Sequence, residues 1–180
     1  MSRGMQHLES ENIVLRPLEP SDIINLLKWE NDPENWVLGI RTTPYSRHSL
    51  EKYILNSEND FWEVKQIRFA ITQKSDGLCI GLIDIFDAQP LHLRAEVGIL
   101  IDPKFRGNGF AFQSLQIIQN WASNYAMLKS LSANVFSENT ASCGAFVKAG
   151  FKKSGILKSW FKTPMGWKDV TILQWQSSKF

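Results

Sequence analysis

Asp102-Pro103-Lys104-Phe105-Arg106-Gly107-Asn108-Gly109-Phe110-Ala111 sits where the hydrophobic period of the chain changes. Before it, Arg94 to Asp102 alternates, with Ala95, Val97, Ile99 and Ile101 on one side and Glu96, Gly98 and Leu100 on the other, as a strand does. After it, Ala111, Leu115, Ile118, Ala122 and Tyr125 recur on one helical stripe, long enough to cover a sheet. Pro103 stops the strand. Glycines between strand and helix let the backbone approach a ligand closely, and the free amides at the start of the helix attract an anion. A phosphate site is therefore one reading, to which Arg106 could add a charged hydrogen bond; a plain strand-to-helix turn is the other.

Working outward, Ile67 to Thr72 and Leu78 to Phe86 flank Lys74-Ser75-Asp76-Gly77 as a β-hairpin, with Asp76-Gly77 supplying the positive φ of a tight turn. Further upstream, Ile13 to Leu18 is a short strand. Ser21 then caps a helix with Ile23, Ile24 and Leu27 on one face, and Ser46 to Leu55 forms a second helix carrying Leu50, Tyr53 and Ile54. The segment between the helices, residues 31–44, is rich in turn residues yet holds Trp36, Val37 and Leu38, so it is expected to line or cover a pocket. Downstream, Leu131 to Phe136 is a strand, and Asn139 caps a helix that reaches Lys148 and ends at Gly150. Lys152 to Phe161 and Lys168 to Gln176 close the chain as a hairpin around Pro164-Met165-Gly166. This order predicts an α/β fold whose mixed sheet is antiparallel first and has one β-α-β crossover in its middle.

The 180 residues, 43% of them hydrophobic, suit one domain with a filled core, spanning 1–180. Twenty basic against eighteen acidic residues leave a net charge of +2 without a basic stripe, which argues against nucleic acid as the main partner. Cys79 and Cys143 have no ligand spacing, and His7, His48 and His92 are scattered, so no metal is expected. Nothing approaches the ~18 apolar residues of a membrane span and no signal-type segment opens the chain, so a cytoplasmic protein without membrane contact is expected. Other phosphate loops fail. There is no G-x-x-x-x-G-K-[ST], and the third glycine of a dinucleotide fingerprint would fall at Phe112. The G-x-S-x-G elbow and the H-E-x-x-H helix are also missing.

Arg106-Gly107-Asn108-Gly109-Phe110-Ala111 resembles the R/Q-x-x-G-x-G/A loop of the GCN5-related N-acetyltransferase (GNAT) superfamily, and Ala95-Glu96-Val97-Gly98-Ile99 is similar to its fourth strand. Glu138-Asn139-Thr140-Ala141-Ser142 with Lys148-Ala149-Gly150-Phe151 resembles the E-N-x-x-S…K-x-G-F signature of its ribosomal-protein N-terminal and spermidine acetyltransferase branch. Val14-Leu15-Arg16-Pro17-Leu18 and Gly166-Trp167-Lys168-Asp169-Val170 also fit that branch, so the resemblance covers nearly the whole chain.

The resemblance implies a GNAT-type fold, a mostly antiparallel sheet of about seven strands with four helices and splayed central strands. It implies acetyl-CoA as co-substrate and a primary amine as acceptor. The pyrophosphate would rest on the amides of Arg106, Gly107, Asn108, Gly109, Phe110 and Ala111. The pantetheine arm would run between 95–101 and 131–136, pairing with backbone at Ile99, Leu100 and Ile101. Asn139 would touch that arm, or serve as a helix cap, or do both. An alkylamine has a pKa near ~10.4 and must lose a proton before it attacks. Glu96 is the candidate to receive it, directly or through water; otherwise it is a surface carboxylate on a sheet edge. Asp84 and Asp169 are reserves, as base or as holders of a cationic substrate, and Trp36 is a further substrate contact.

One position departs from the pattern. The superfamily's usual Tyr, which protonates the leaving thiolate, is Phe146 here. Ser142 is the position the N-terminal branch is thought to use instead, or a polar residue of the helix start. A thiol of pKa ~8.5 also leaves tolerably without an acid. Carboxylates in Trp29-Glu30-Asn31-Asp32-Pro33-Glu34 would favour a spermidine-like acceptor, an open groove would favour an N-terminal amine, and antibiotic amines also fit. A non-catalytic acyl-CoA-binding or sensing domain is the alternative class, and an aromatic interaction module a third. The closing hairpin is a candidate surface for self-association.

Overall fold

The computed structural model describes residues 8–36 and 43–180. Its seven strands are β1 (Ile13–Pro17), β2 (Ile67–Gln73), β3 (Cys79–Gln89), β4 (Arg94–Ile101), β5 (Ser130–Phe136), β6 (Lys152–Thr163) and β7 (Gly166–Gln176). They form one sheet in the order β1-β2-β3-β4-β5-β7-β6. Every neighbouring pair is antiparallel except β4 with β5, the two strands joined by the crossover helix α5 (Phe110–Asn124) after α1 (Ile23–Glu30), α2 (Pro33–Trp36), α3 (Arg47–Leu55) and α4 (Phe61–Val64). A last helix, α6 (Thr140–Lys148), precedes the closing hairpin.

Strand alternation splits the core into two layers. Phe69, Ile71, Ile83, Ile85, Ala95 and Val97 pack on Leu115, Ile118 and Ala122 of α5 and Phe146 of α6. On the opposite face Ala70 and Leu82 pack on Leu26 and Trp29 of α1 and Leu50 and Ile54 of α3. Each fully buried aliphatic side chain contributes about 1.5–3 kcal/mol, so these rows fix the register of the sheet.

The expected elements are all present, with local differences. In α1 the buried face is Ile23, Leu26 and Trp29, whereas Ile24 is 69% exposed. The helix packs through the arc centred on Leu26, with the large indole of Trp29 at its edge. Ser21 is not the cap; a 3-10 turn over Pro20–Asp22 opens the segment, and the Asp22 carboxylate accepts from the Glu19 amide at 2.8 Å. Tyr125, expected on the buried stripe of α5, is 51% exposed, because the helix ends at Asn124 and the chain turns away. The single-turn helices α2 and α4 carry no periodicity from which to read them. In α4 the Asp60 carboxylate caps the Trp62 amide at 2.9 Å, and buried Phe61 meets Trp121 edge-on. Val37 and Leu38 of the acceptor-side loop lie outside the described residues, as does the side chain of Trp36, whose backbone closes α2. Among the described residues, no helix is long and apolar enough to cross a membrane.

Candidate active site

The glycine loop is shaped by φ angles that only glycine adopts freely. Gly107 and Gly109 have φ of +80° and +76°, and a Cβ built on either would meet nothing within 4 Å. The Asn108 side-chain Nδ2 closes the turn by donating to the carbonyls of Phe105 and Arg106 at 3.1 and 3.2 Å. Gly109 caps α5, where the Gln113 amide bonds its carbonyl at 3.1 Å. The main-chain amides of Gly107 to Phe112 have no acceptor among the described residues, so a run of donors stands at the positive end of a four-turn helix beside open space. That arrangement fits the diphosphate of coenzyme A. Arg106 Nε donates to the Ile101 carbonyl at 3.0 Å, tying the loop to the end of β4, and its main-chain amide, expected among the phosphate donors, donates to the Pro103 carbonyl at 3.4 Å.

Asp102 anchors the other side of the turn. It is 5% exposed and accepts from Lys28 Nζ at 2.6 Å, Trp29 Nε1 at 2.9 Å and the Lys104 amide at 3.0 Å. Burial works to raise its carboxyl, but these three donors and the lysine charge outweigh it and bring the pKa down to about 2. The loop is thereby locked to α1.

Beyond the loop the sheet opens. β4 and β5 pair over three rungs only, Arg94–Ser130, Ala95–Leu131 and Glu96–Ser132. Past Glu96, β4 pairs with β3 alone, and past Ser132, β5 pairs with β7 alone. The edge of β4 through Ile99, Leu100 and Ile101 therefore faces a cleft with backbone groups that an extended amide-bearing arm can pair with. Gly81 holds that edge in place: a Cβ there would lie 2.2 Å from the Leu100 carbonyl oxygen, so the two backbones meet in direct contact.

Glu96 stands on the last shared rung, on the face away from Val97 and Ile99. Asn134 of β5 reaches across the opening and donates to its Oε2 at 3.1 Å. Burial lifts the Glu96 pKa above its ordinary value, nearby Asp87 adds to the lift, and the Asn134 hydrogen bond opposes it. The result is a carboxylate more basic than a free one at the mouth of the cleft.

The far wall is α6. Asn139 caps it, its side-chain oxygen accepting the Ser142 amide at 3.0 Å. Ser142 is half-buried in the first turn. Phe146 is 2% exposed and packs edge-on against Phe151 with centroids 5.0 Å apart, so this position belongs to the core and presents no polar atom to the cleft.

Asp84 and Asp169 are not alike. Asp84 lies on the rung Arg68–Asp84–Gly98 that crosses β2, β3 and β4, two residues along the sheet from Glu96. Arg68 grips it through Nε and through Nη2, the latter at 3.0 Å, and extends Nη1 to Glu30 at 2.5 Å. Asp169 is remote: it accepts from Lys158 Nζ at 2.7 Å and the Ser159 amide at 2.9 Å, holding a bulge of the closing hairpin. It lies five residues along β7 from Gln174, the partner of Ser132, roughly 17 Å from the Glu96 rung. The lysine and amide keep its carboxyl below the usual range. Asn134 and Arg68 were missed by sequence reasoning. The one available signal was a polar side chain inside an apolar strand run, Ala133-Asn134-Val135 and Ile67-Arg68-Phe69.

Comparison with known proteins matches residues 12–152 to the acetyltransferase (GNAT) domain. An uncharacterized N-acetyltransferase YoaA of Bacillus subtilis is 27% identical over 157 residues, covering 85% of this chain and 86% of the relative. A spermidine N(1)-acetyltransferase of Escherichia coli K12 is 24% identical, over 82% and 77%. A solved structure of spermidine N-acetyltransferase from Vibrio cholerae, in complex with CoA and spermine, superposes with a TM-score of 0.83 at 22% identity, covering 94% of this chain and 98% of that one. The splayed β4–β5 pair, the donor-lined glycine loop and the match over most of the length agree: this chain belongs to the GNAT family of acetyltransferases, N-acetyltransferases that use acetyl-CoA.

Proposed function

We propose that this enzyme acetylates a primary amine by direct attack, with Glu96 taking up the amine's proton. Acetyl-CoA supplies the activated acetyl group as a thioester. The main-chain donors from Gly107 to Phe112 hold its diphosphate, and the open edge of β4 through Ile101 aligns its arm. Asn139, engaged as a helix cap through its oxygen, retains its amide NH2 for that arm. The amine nitrogen attacks the carbonyl carbon, the carbon–sulfur bond breaks, and backbone donors at the cleft steady the oxyanion. Glu96 receives the proton directly or through one water.

The observation that carries this reading is the position of Glu96, held by Asn134 on the last rung before β4 and β5 part, with its basicity raised by burial. Phe146 supplies no acid. Ser142 in the first turn of α6 is the remaining hydroxyl donor for the leaving thiolate, which a pKa of ~8.5 lets depart unaided. The relatives named for spermidine support an amine acceptor. Thiol release from acetyl-CoA against a panel of amines and short peptides tests the activity. Glu96→Gln should lower release and flatten its rise with pH; a variant whose pH profile overlays the parent's removes Glu96 from the mechanism.

A further inference from the structure

Coenzyme A extends past the glycine loop. Beyond its diphosphate it carries an adenosine whose ribose bears a 3′-phosphate, a doubly charged group that leaves the loop by one of two sides. The sides differ in charge. Towards β1 the loop borders a recess lined by Glu11, Gln73, Lys74 and Asn108 among others. Its one lining cation, Lys74, is already paired with Glu9 at 2.8 Å, and Glu11 stands beside it, so this side is net negative and unsuited to a phosphate. The other side is the groove between α5 and α6. Neither helix holds a carboxylate, and across both of them Lys148 is the one charged residue.

Three contacts put Lys148 in reach of the loop. The Gln119 side chain donates to the Ala149 carbonyl at 2.8 Å and so pins the end of α6 to the middle of α5. Lys148 Nζ then lies 4.8 Å from the centre of the Phe112 ring, whose negative face attracts a cation. Phe112 packs half-buried against the core, and its main-chain amide is the last of the free loop donors. The ammonium is thus held over the first turn of α5, one side chain beyond the diphosphate seat. It is exposed, and no carboxylate pairs with it among the described residues. The next ionisable residues along the chain, Lys152 and Lys153, are basic and exposed as well.

We infer that Lys148, supported by the Phe112 ring, receives the 3′-phosphate of the coenzyme, so that the enzyme distinguishes coenzyme A from its 3′-dephospho form. This rests on the seating of the diphosphate on the glycine loop. The contact is a charge-assisted hydrogen bond at an exposed site, and salt therefore weakens it.

The test is calorimetric titration of the full chain with coenzyme A and with 3′-dephospho-coenzyme A. The parent should bind coenzyme A about fivefold more tightly, and added salt should narrow the gap. Lys148→Gln should bring coenzyme A down to the affinity of the dephospho form and leave the dephospho form unchanged, which isolates the one contact between side chain and phosphate. Lys148→Arg should keep the preference. Lys148 is exposed, so both variants should melt with the parent. A parent that binds the two forms equally overturns the inference and leaves the loop seat and the acetyltransferase reading standing. So does a Lys148→Gln that keeps the parent's ratio, or one that weakens both forms alike. A preference abolished by Lys74→Gln instead puts the 3′-phosphate in the recess and overturns the inference too. No association with either form overturns the loop seat as well.

Discussion

Gly109→Ala separates what the loop asks of the protein from what it asks of the ligand. At φ +76° an alanine is strained, while its methyl would meet no protein atom within 4 Å. Within the protein the change is therefore a dihedral penalty of about 1–2 kcal/mol, a fall of roughly 2–8 °C in melting temperature for a chain of this size. That methyl stands at the cap of α5, where a diphosphate must come close to the backbone to reach the amides of Gly107 to Phe112. Coenzyme A should bind at least about tenfold more weakly, a loss of about 1.4 kcal/mol. Gly150→Ala is the control. Its φ is +93°, it too has no atom within 4 Å of an added Cβ, and it precedes the start of β6, at the opposite end of the sheet from the loop. Calorimetric titration with coenzyme A, alongside thermal melts, should show a similar loss of stability in both variants and a loss of affinity in Gly109→Ala alone. Equal melting shifts with unchanged affinity in Gly109→Ala would refute the seating of the diphosphate on this loop.

Gly81→Ala forces a Cβ to 2.2 Å from the Leu100 carbonyl, a backbone atom that cannot swing aside. It should destabilise the fold by about 1–3 kcal/mol and raise the KM for acetyl-CoA, measured by steady-state kinetics. Asp102 has a depressed pKa, so its stabilisation is complete above the unfolded value near 3.8 and disappears as pH falls through about 2. Asp102→Asn should lose at most about 2 kcal/mol at pH 6, less for the solvent around half-exposed Lys28, and the gap to the parent should narrow below about pH 4 and close near pH 2 in denaturant titrations. Phe146→Tyr adds the phenol that the resemblance would place at this position but buries its hydroxyl beside Phe151. We expect about 1–3 kcal/mol of destabilisation and no gain in thiol release; a severalfold gain would place this position at the cleft.

The strand-to-helix loop could be read in the sequence because its signals are local. Two glycines, a preceding proline and a change of period survive without knowledge of neighbours. The face of Glu96 was equally legible, since alternation along one strand decides it. Ile24 was misplaced because two adjacent arcs of α1 are apolar, and the packing of Trp29 against the sheet chose between them. Arg68 and Asn134 could not be assigned, because their meaning lies in cross-strand register. Arg68 matters through Asp84 and Glu30, 16 and 38 residues away, and Asn134 through Glu96, 38 residues away. Asp169 shows the converse: a polar residue in a motif-like segment whose partners, Lys158 and Ser159, give it a structural task.

The opening of the sheet and Glu96, the base proposed above, are linked through one hydrogen bond. A parallel ladder that stops after three rungs leaves the cleft-side backbone of β4 in need of partners, and a ligand lying along it supplies them. Asn134 crosses just beyond the last rung, so its bond to Glu96 spans the gap that the ligand must enter. That bond opposes the burial and the Asp87 charge that raise the Glu96 pKa. Burial, the largest of these effects, and the Asp87 charge therefore set the Glu96 carboxylate above its ordinary pKa at the point where the strands part, and the Asn134 hydrogen bond restrains that rise.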